Sequence, residues 1–197
     1  MSDGMASDRG IRYWQTECKR LREENIKLRE ERDASHCKGG VVDYDSKADT
    51  LEHIHNVSRL LHECIALLLV RANEHDASKL RPPEKEAFDR VTPLLRDTTY
   101  GSPEYREHLQ SIQPAIDHHN WVNEHHPEHW VHGIMGMSLI DLVEMLCDWK
   151  AASLRHADGD LRKSIEINRE RFNMSPQLVR ILLNTAERMQ WLTTKGE

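Results

Sequence analysis

An all-α fold is predicted by three observations. Apolar residues recur at three- and four-residue intervals along the long segments, Ser, Asp or Pro start signals open them, and no stretch alternates polar and apolar at period two. The 197 residues suffice for one domain with an appendage. Hydrophobic residues make up 38% and charged residues 30%, and the longest apolar run, Cys64 to Val70, falls far short of the ~20 residues a membrane-spanning helix needs. No basic stretch followed by an apolar one opens the chain, so no secretory signal is expected and the protein is read as cytoplasmic. A net charge of -6 and the lack of a long basic block argue against a duplex-binding surface. The 4 cysteines form no CxxC pair, which argues against a zinc ribbon or a disulfide framework.

Residues 1–8 are read as a disordered N-terminus and 9–33 as a coiled-coil helix. Ile11, Cys18 and Asn25 take the a positions, and Trp14, Leu21 and Leu28 the d positions, of a heptad seam over residues 11–32. A parallel homodimer through this seam would set Glu17 against Arg22 and Glu24 against Arg29 across the interface, with Asn25 fixing the register. The alternative is an amphipathic helix folded on its own domain. Residues 34–48 lose the period, contain Gly39 and Gly40, and read as a linker to the main domain, 49–197. There, Asp49 with Glu52 forms a capping box for a helix over about 50–73, with Ile54, Val57, Leu61, Ile65 and Leu68 on one stripe. Pro82 and Pro83 open a short helix, Ser102 and Pro103 cap another, and Pro114 breaks or kinks that segment. Helices over about 138–156 and 161–172, and one opened by Ser175 and Pro176, complete the chain.

Function is sought where histidines gather: of 13, six (His118, His119, His125, His126, His129 and His132) fall in one short stretch beside carboxylates. At about 100° per residue, His53 falls within the apolar arc of its helix and is expected to point inward. There it would need a hydrogen bond or a metal, and an ordinary core histidine is the simpler reading of that residue alone. His75 and Asp76 close the same helix. The helix over 138–156 is apolar nearly all round, hence buried, yet Asp141, Glu144 and Asp148 share one narrow stripe of it. Buried carboxylates are costly unless paired or bound to a metal. If HHNWVNEHHPEHW is helical up to Pro127, His119 and His126 share one face and His118 and His125 a second, and two matched pairs favour a metal over unengaged surface histidines.

The order His53, His75-Asp76, paired histidines, Asp148 resembles the H…HD…D pattern of the HD-domain superfamily of metal-dependent phosphohydrolases, over about residues 50–156. HDASK (His75 to Lys79) looks like its HDxxK form and LCDWKAA (Leu146 to Ala152) like its last-ligand helix. The resemblance implies an HD-domain-like helical bundle. His53, His75, Asp76 and Asp148 would bind one metal, and Asp76 would bridge to a second held by His118 or His119 and His125 or His126. Such donors suit one or two divalent transition metals, Mn, Fe, Co, Ni or Zn. No GYP motif follows HHPE, which argues against cyclic-dinucleotide hydrolysis. Lys79 and Arg155 are placed to contact phosphate oxygens, Glu144 to orient a ligand histidine or shuttle a proton, and Arg169 and Arg171 to contribute to the substrate pocket. The expected activity is hydrolysis of a small phosphorylated compound, a nucleotide first among them. A di-iron oxygenase of the myo-inositol oxygenase kind and a non-catalytic dimeric metal-binding protein are the alternatives. The segments HDASKL, YGSPEY, HHPEH and NRERF are also similar to an uncharacterised family of phage and bacterial proteins, which implies a host-cytoplasmic location if phage-encoded.

Overall fold

A computed structural model describes residues 16, 19–20, 23–24, 26–31, 44–99, 102–155 and 159–192, and among them every regular element is helical. Residues 1–8, the seam positions Ile11, Trp14, Cys18, Leu21 and Asn25, the Glu17 and Arg22 pair and the glycine-containing part of the linker lie outside the described residues. The chain divides into two compact units, 1–67 and 68–197, with the boundary inside the first labelled helix, α1 (Lys47–Glu74).

In the first unit the described residues between 16 and 31 are helical. Lys47 pairs with Glu24 at 3.1 Å, and Arg29 pairs with Glu52. Two of the side chains expected to meet across a dimer seam, Glu24 and Arg29, are thus engaged within the chain. The helix α1 starts two residues before Asp49, the expected cap. Asp45 accepts from the Lys47 amide at 2.9 Å, while the Asp49 carboxylate accepts from the Tyr44 hydroxyl. Of the apolar stripe of α1 expected to be covered, Ile54, Val57, Leu61 and Ile65 are each at least 41% exposed and Leu68 is half-buried, and Leu60 and Leu67 beside them are exposed too. These side chains spread over a wide arc, and one neighbouring helical segment can cover only part of it.

The second unit holds the end of α1, then α2 (Glu84–Arg96), α3 (Pro103–Gln110), α4 (Gln113–Val122), α5 (Leu139–Ser153), α6 (Leu161–Arg171) and α7 (Pro176–Arg188). Short 3-10 turns at Ala77–Leu80, Pro127–His129 and Gly133–Gly136 join them. Start signals act as read: Ser102 Oγ accepts from the Tyr105 amide at 3.0 Å and Ser175 Oγ from the Leu178 amide at 3.2 Å. Pro114 lies in the first turn of α4 and starts that helix rather than kinking a longer one.

The apolar core is built from α5, α6 and α7 and their flanks, with Met145, Leu146, Leu161, Ile165, Met174, Val179, Leu182 and Ala186 buried together. Helices α2 to α4 bury little that is apolar: Val91, Ile112 just before α4, and Ala115. Helix α5 joins the two regions. Met145 and Leu146 sit in the core, while Asp141 and Glu144 are also buried. The inward reading of that acid stripe is therefore the observed one for Asp141 and Glu144. No helix among the described residues is long and apolar enough to cross a membrane.

Candidate metal centre

The helix α1 ends on His75 and Asp76. The His75 amide still closes a helical bond to Arg71 O at 2.8 Å, but Asp76 adopts φ 57°, ψ 12°, the left-handed region. A side chain there costs roughly 1–2 kcal/mol, and aspartate is among the residues that tolerate it. In a continuing helix neighbouring side chains would diverge by about 100°. The left-handed turn instead brings His75 Nε2 to 3.8 Å from Asp76 Oδ2.

The histidine-rich stretch is not one helix. The helix α4 stops at Val122, and Asn123 is extended, its side-chain amide donating to His119 O at 2.8 Å and to Ser78 Oγ at 2.9 Å. This local bond competes with helix continuation, and Pro127 disfavours the helical conformation for His126. The expected seven-residue pairs are therefore replaced by a fold-back. The ring centroids of His119 and His126 lie 4.8 Å apart, those of His125 and His126 4.2 Å, and those of His75 and His125 4.5 Å.

Two glutamates fix the rings. Glu144 Oε1 accepts from His75 Nδ1 at 2.9 Å and lies 3.2 Å from His125 Nδ1. The fully buried Glu84 accepts from His118 Nδ1 at 2.7 Å and from His119 Nδ1 at 2.9 Å, and also from Ser78 Oγ at 2.9 Å. A carboxylate can take only the N–H, so the rings of His75 and His119, when neutral, keep the Nε2 lone pair for another partner. Behind Glu144, Arg71 donates to the buried Asp141 at 2.6 Å, lies 3.5 Å from Glu144 Oε2 and pairs with Glu124. Asp141 meanwhile closes the Ser138 capping box of α5.

Ligating atoms of Asp76, His119, His125 and His126 lie within 4.8 Å of one another, and those of His75, Asp76 and Asp148 form a second such group. A third grouping, His75, His125 and Glu144, consists of the Glu144 contacts just described. In the first group Asp76 Oδ1 and the Nε2 atoms of His119, His125 and His126 are all buried without a hydrogen-bond partner. Such atoms are costly unless a bound cation or water satisfies them, so the residues present fit a divalent metal.

The electrostatics agree. Burial, with the His75 charge, pushes His125 down, and burial with the charges of His125 and His119 pushes His126 down to about 3. Both are kept as the neutral imidazoles a metal requires. Burial pushes the Asp76 carboxyl up, but the neighbouring His119 ring and the Lys79 ammonium outweigh it and hold the group well below the usual carboxylate range. The Asp148 carboxylate nearby raises His75 to about 9 against the opposing effect of burial, with Glu144 assisting.

Of the residues singled out from sequence, His75, Asp76, His119, His125, His126, Glu144 and Asp148 meet in this cluster. His118 turns its Nδ1 to Glu84 and joins none of the three groups. His53 is exposed, contrary to its expected inward position, and lies outside those groups. Lys79 Nζ sits 2.6 Å from Asp76 Oδ2 and over the Phe88 ring. Arg155, expected to contact phosphate oxygens, is exposed beyond the end of α5, which stops at Ser153. Arg169 pairs with Glu166 and Glu170 on its own helix, and Arg171 with Glu128 at 2.6 Å. Glu84, Arg71, Ser78 and Asn123 were not picked out. An acid in the first turn of a helix is ordinarily a dipole partner, which hid Glu84. Arg71 stands four residues before His75 in an apolar run, a signal that was available.

An all-α chain with a buried histidine and aspartate cluster able to hold a metal ion is the class that fold and site define. The chain belongs to a family of unknown function, DUF5662, which it matches over residues 42–188. No curated protein and no solved structure matches it.

Proposed function

We propose that the protein is a metal-dependent phosphohydrolase of the HD-domain kind, acting on a small phosphorylated substrate of the nucleotide class. The observation that carries the metal is the convergence of four buried, unpartnered donors from three parts of the chain on one point. His119, His125, His126 and Asp76 would hold it. A divalent ion bound there supplies Lewis acidity toward a phosphoryl oxygen and lowers the pKa of a coordinated water. Glu84 holds the His119 imidazole in the binding tautomer, Glu144 stands 3.2 Å from His125 Nδ1, and Lys79 offers a cation beside Asp76 to an anionic substrate.

Elemental analysis of the purified protein against Asp76→Ala, with a screen of nucleoside mono-, di- and triphosphates in Mn, Co, Ni, Mg and Fe, tests the reading. Metal in wild type alone, with phosphate or pyrophosphate release, supports it. Equal metal in both proteins would overturn it. The nitrogen-rich donor set suits iron as well, which keeps a di-iron oxygenase as the second reading. Oxygen uptake by iron-loaded protein without phosphate release would favour that reading. Full metal occupancy with neither activity would favour a binding protein.

A homodimer through residues 11–32 belongs to the same proposal, supported by the apolar side chains of α1 left exposed in the same unit. Deleting residues 1–33 should lower the sedimenting mass to that of a folded monomer. Unchanged stoichiometry would place the assembly interface elsewhere.

A further inference from the structure

We propose that the centre takes one metal ion rather than two, and that Lys79 fills the place on Asp76 that a second ion would need. The inference rests on the metal-binding reading above and concerns how many ions that site accepts. The two oxygens of Asp76 have different company. Oδ1 faces His119 Nε2 at 3.2 Å and His125 Nε2 at 3.6 Å, and is buried without a hydrogen bond. Oδ2 is held by Lys79 Nζ at 2.6 Å.

The unpartnered atoms divide the same way. Asp76 Oδ1 and three histidine Nε2 atoms make a complete four-donor set, whereas no atom of His75 or Asp148 is a buried, unpartnered one. His75 Nε2 has Asp148 Oδ1 at 3.7 Å and Asp76 Oδ2 at 3.8 Å, while its Nδ1 is committed to Glu144. The side chain of Glu144 that also keeps an unpartnered oxygen points it toward Arg71, at 3.5 Å. On the Oδ2 side a second ion would find His75, Asp148 and an oxygen already occupied by an ammonium. His53, the further donor the motif order offered there, is exposed.

Lys79 is a built-in cation rather than a wandering surface chain. The 3-10 turn bonds its amide to Asp76 O at 2.9 Å, and the Phe88 ring lies 5.2 Å below its ammonium. A divalent ion on Oδ2 would approach that fixed ammonium to within a few ångströms, and two cations in a half-buried site repel strongly. Lys79 therefore supplies the second positive charge on the bridging carboxylate permanently.

Equilibrium dialysis of chelator-stripped, full-length protein against Mn and, separately, Co, with metal counted per chain, tests this. Wild type and Lys79→Arg should saturate at one ion, and Lys79→Met should accept a second. The Mn-loaded wild type should give the spin-resonance spectrum of an isolated ion, and Lys79→Met that of a coupled pair. Lys79→Gln serves as a second neutral variant, with circular dichroism reporting the fold. Two ions in wild type would overturn this inference while leaving the metal reading intact. One ion in every variant would overturn the role of Lys79. No ion in any protein would overturn the metal reading and this inference with it.

Discussion

Glu84 is a carboxylate with no exposed surface, three hydrogen-bonding neighbours and no direct place among the donor atoms. Its effect on a bound ion passes through the orientation of His119. Glu84→Gln, which keeps the volume but weakens the charge-assisted bonds, should lower metal affinity 10–100-fold by order of magnitude, read by competition with a fluorescent chelator, with little change in helicity. Unchanged affinity would mean that packing alone orients His119. His75 makes a pH-dependent contribution. In the metal-free protein its pKa is raised to about 9 from 6.5, so its stabilising effect is complete below pH 6.5 and is lost as pH rises through 9. With chelator present, the melting temperature of wild type should exceed that of His75→Gln most near pH 6 and converge with it above about pH 9, following that shift. A constant gap would refute the assignment. At this scale the ligand types were legible, because histidines beside acids carry their chemistry in their identity. The supporting residues were not, since neither Glu84 nor Asn123 differs in type from ordinary helix-end residues.

Helix α5 shows how one element serves two masters, with Met145 and Leu146 in the apolar core and Asp141 and Glu144 buried beside Arg71. The burial of its acids was legible, because apolar residues flank them on both sides, but the expectation that the helix is buried all round fails on the face of Leu139, Val143 and Cys147, which is exposed. The apolar stripe of α1 misled for the complementary reason: periodicity reports which residues could be covered, not whether a partner is present. The α4 segment failed at its end, where a side-chain bond from Asn123 outweighed a pattern that was otherwise helical. Arg71→Met provides a test of the ion network between α1 and α5. It leaves Asp141 without its cation and Glu144 without its guanidinium neighbour, and should cost about 3 kcal/mol in urea unfolding. Arg71→Met paired with Asp141→Leu should recover part of that loss, since the stranded charge is then gone. No recovery would show that Arg71 acts mainly through Glu144 or Glu124.

At the scale of the molecule, all-α architecture followed from the absence of period-two stretches and from start signals that the chain obeys at Ser102, Ser138 and Ser175. Membership of a family of unknown function carries no activity with it, so the reaction rests on the site alone. The uneven distribution of the core bears on what an ion would do for the fold. Helices α2 to α4 are tied together by Val91, Ile112, Ala115 and a polar cluster, while the large apolar side chains gather around α5 to α7. A cation held by Asp76, His119, His125 and His126 would act as a cross-link. It would close the long loop between the end of α1 and the Asn123 break, and remove chain entropy that this region has little hydrophobic burial to offset. Chelation should then loosen the molecule regionally. Limited proteolysis in chelator should cut first between residues 97 and 136, hydrogen exchange should rise there, and amides in α6 and α7 should keep their protection. Equal loss of protection in both regions would mean that the ion stabilises the second unit as a whole. If the regional pattern holds, the same four side chains that bind the ion are also the mortar of their own part of the second unit, and the supply of that ion sets how much of it is folded at any moment.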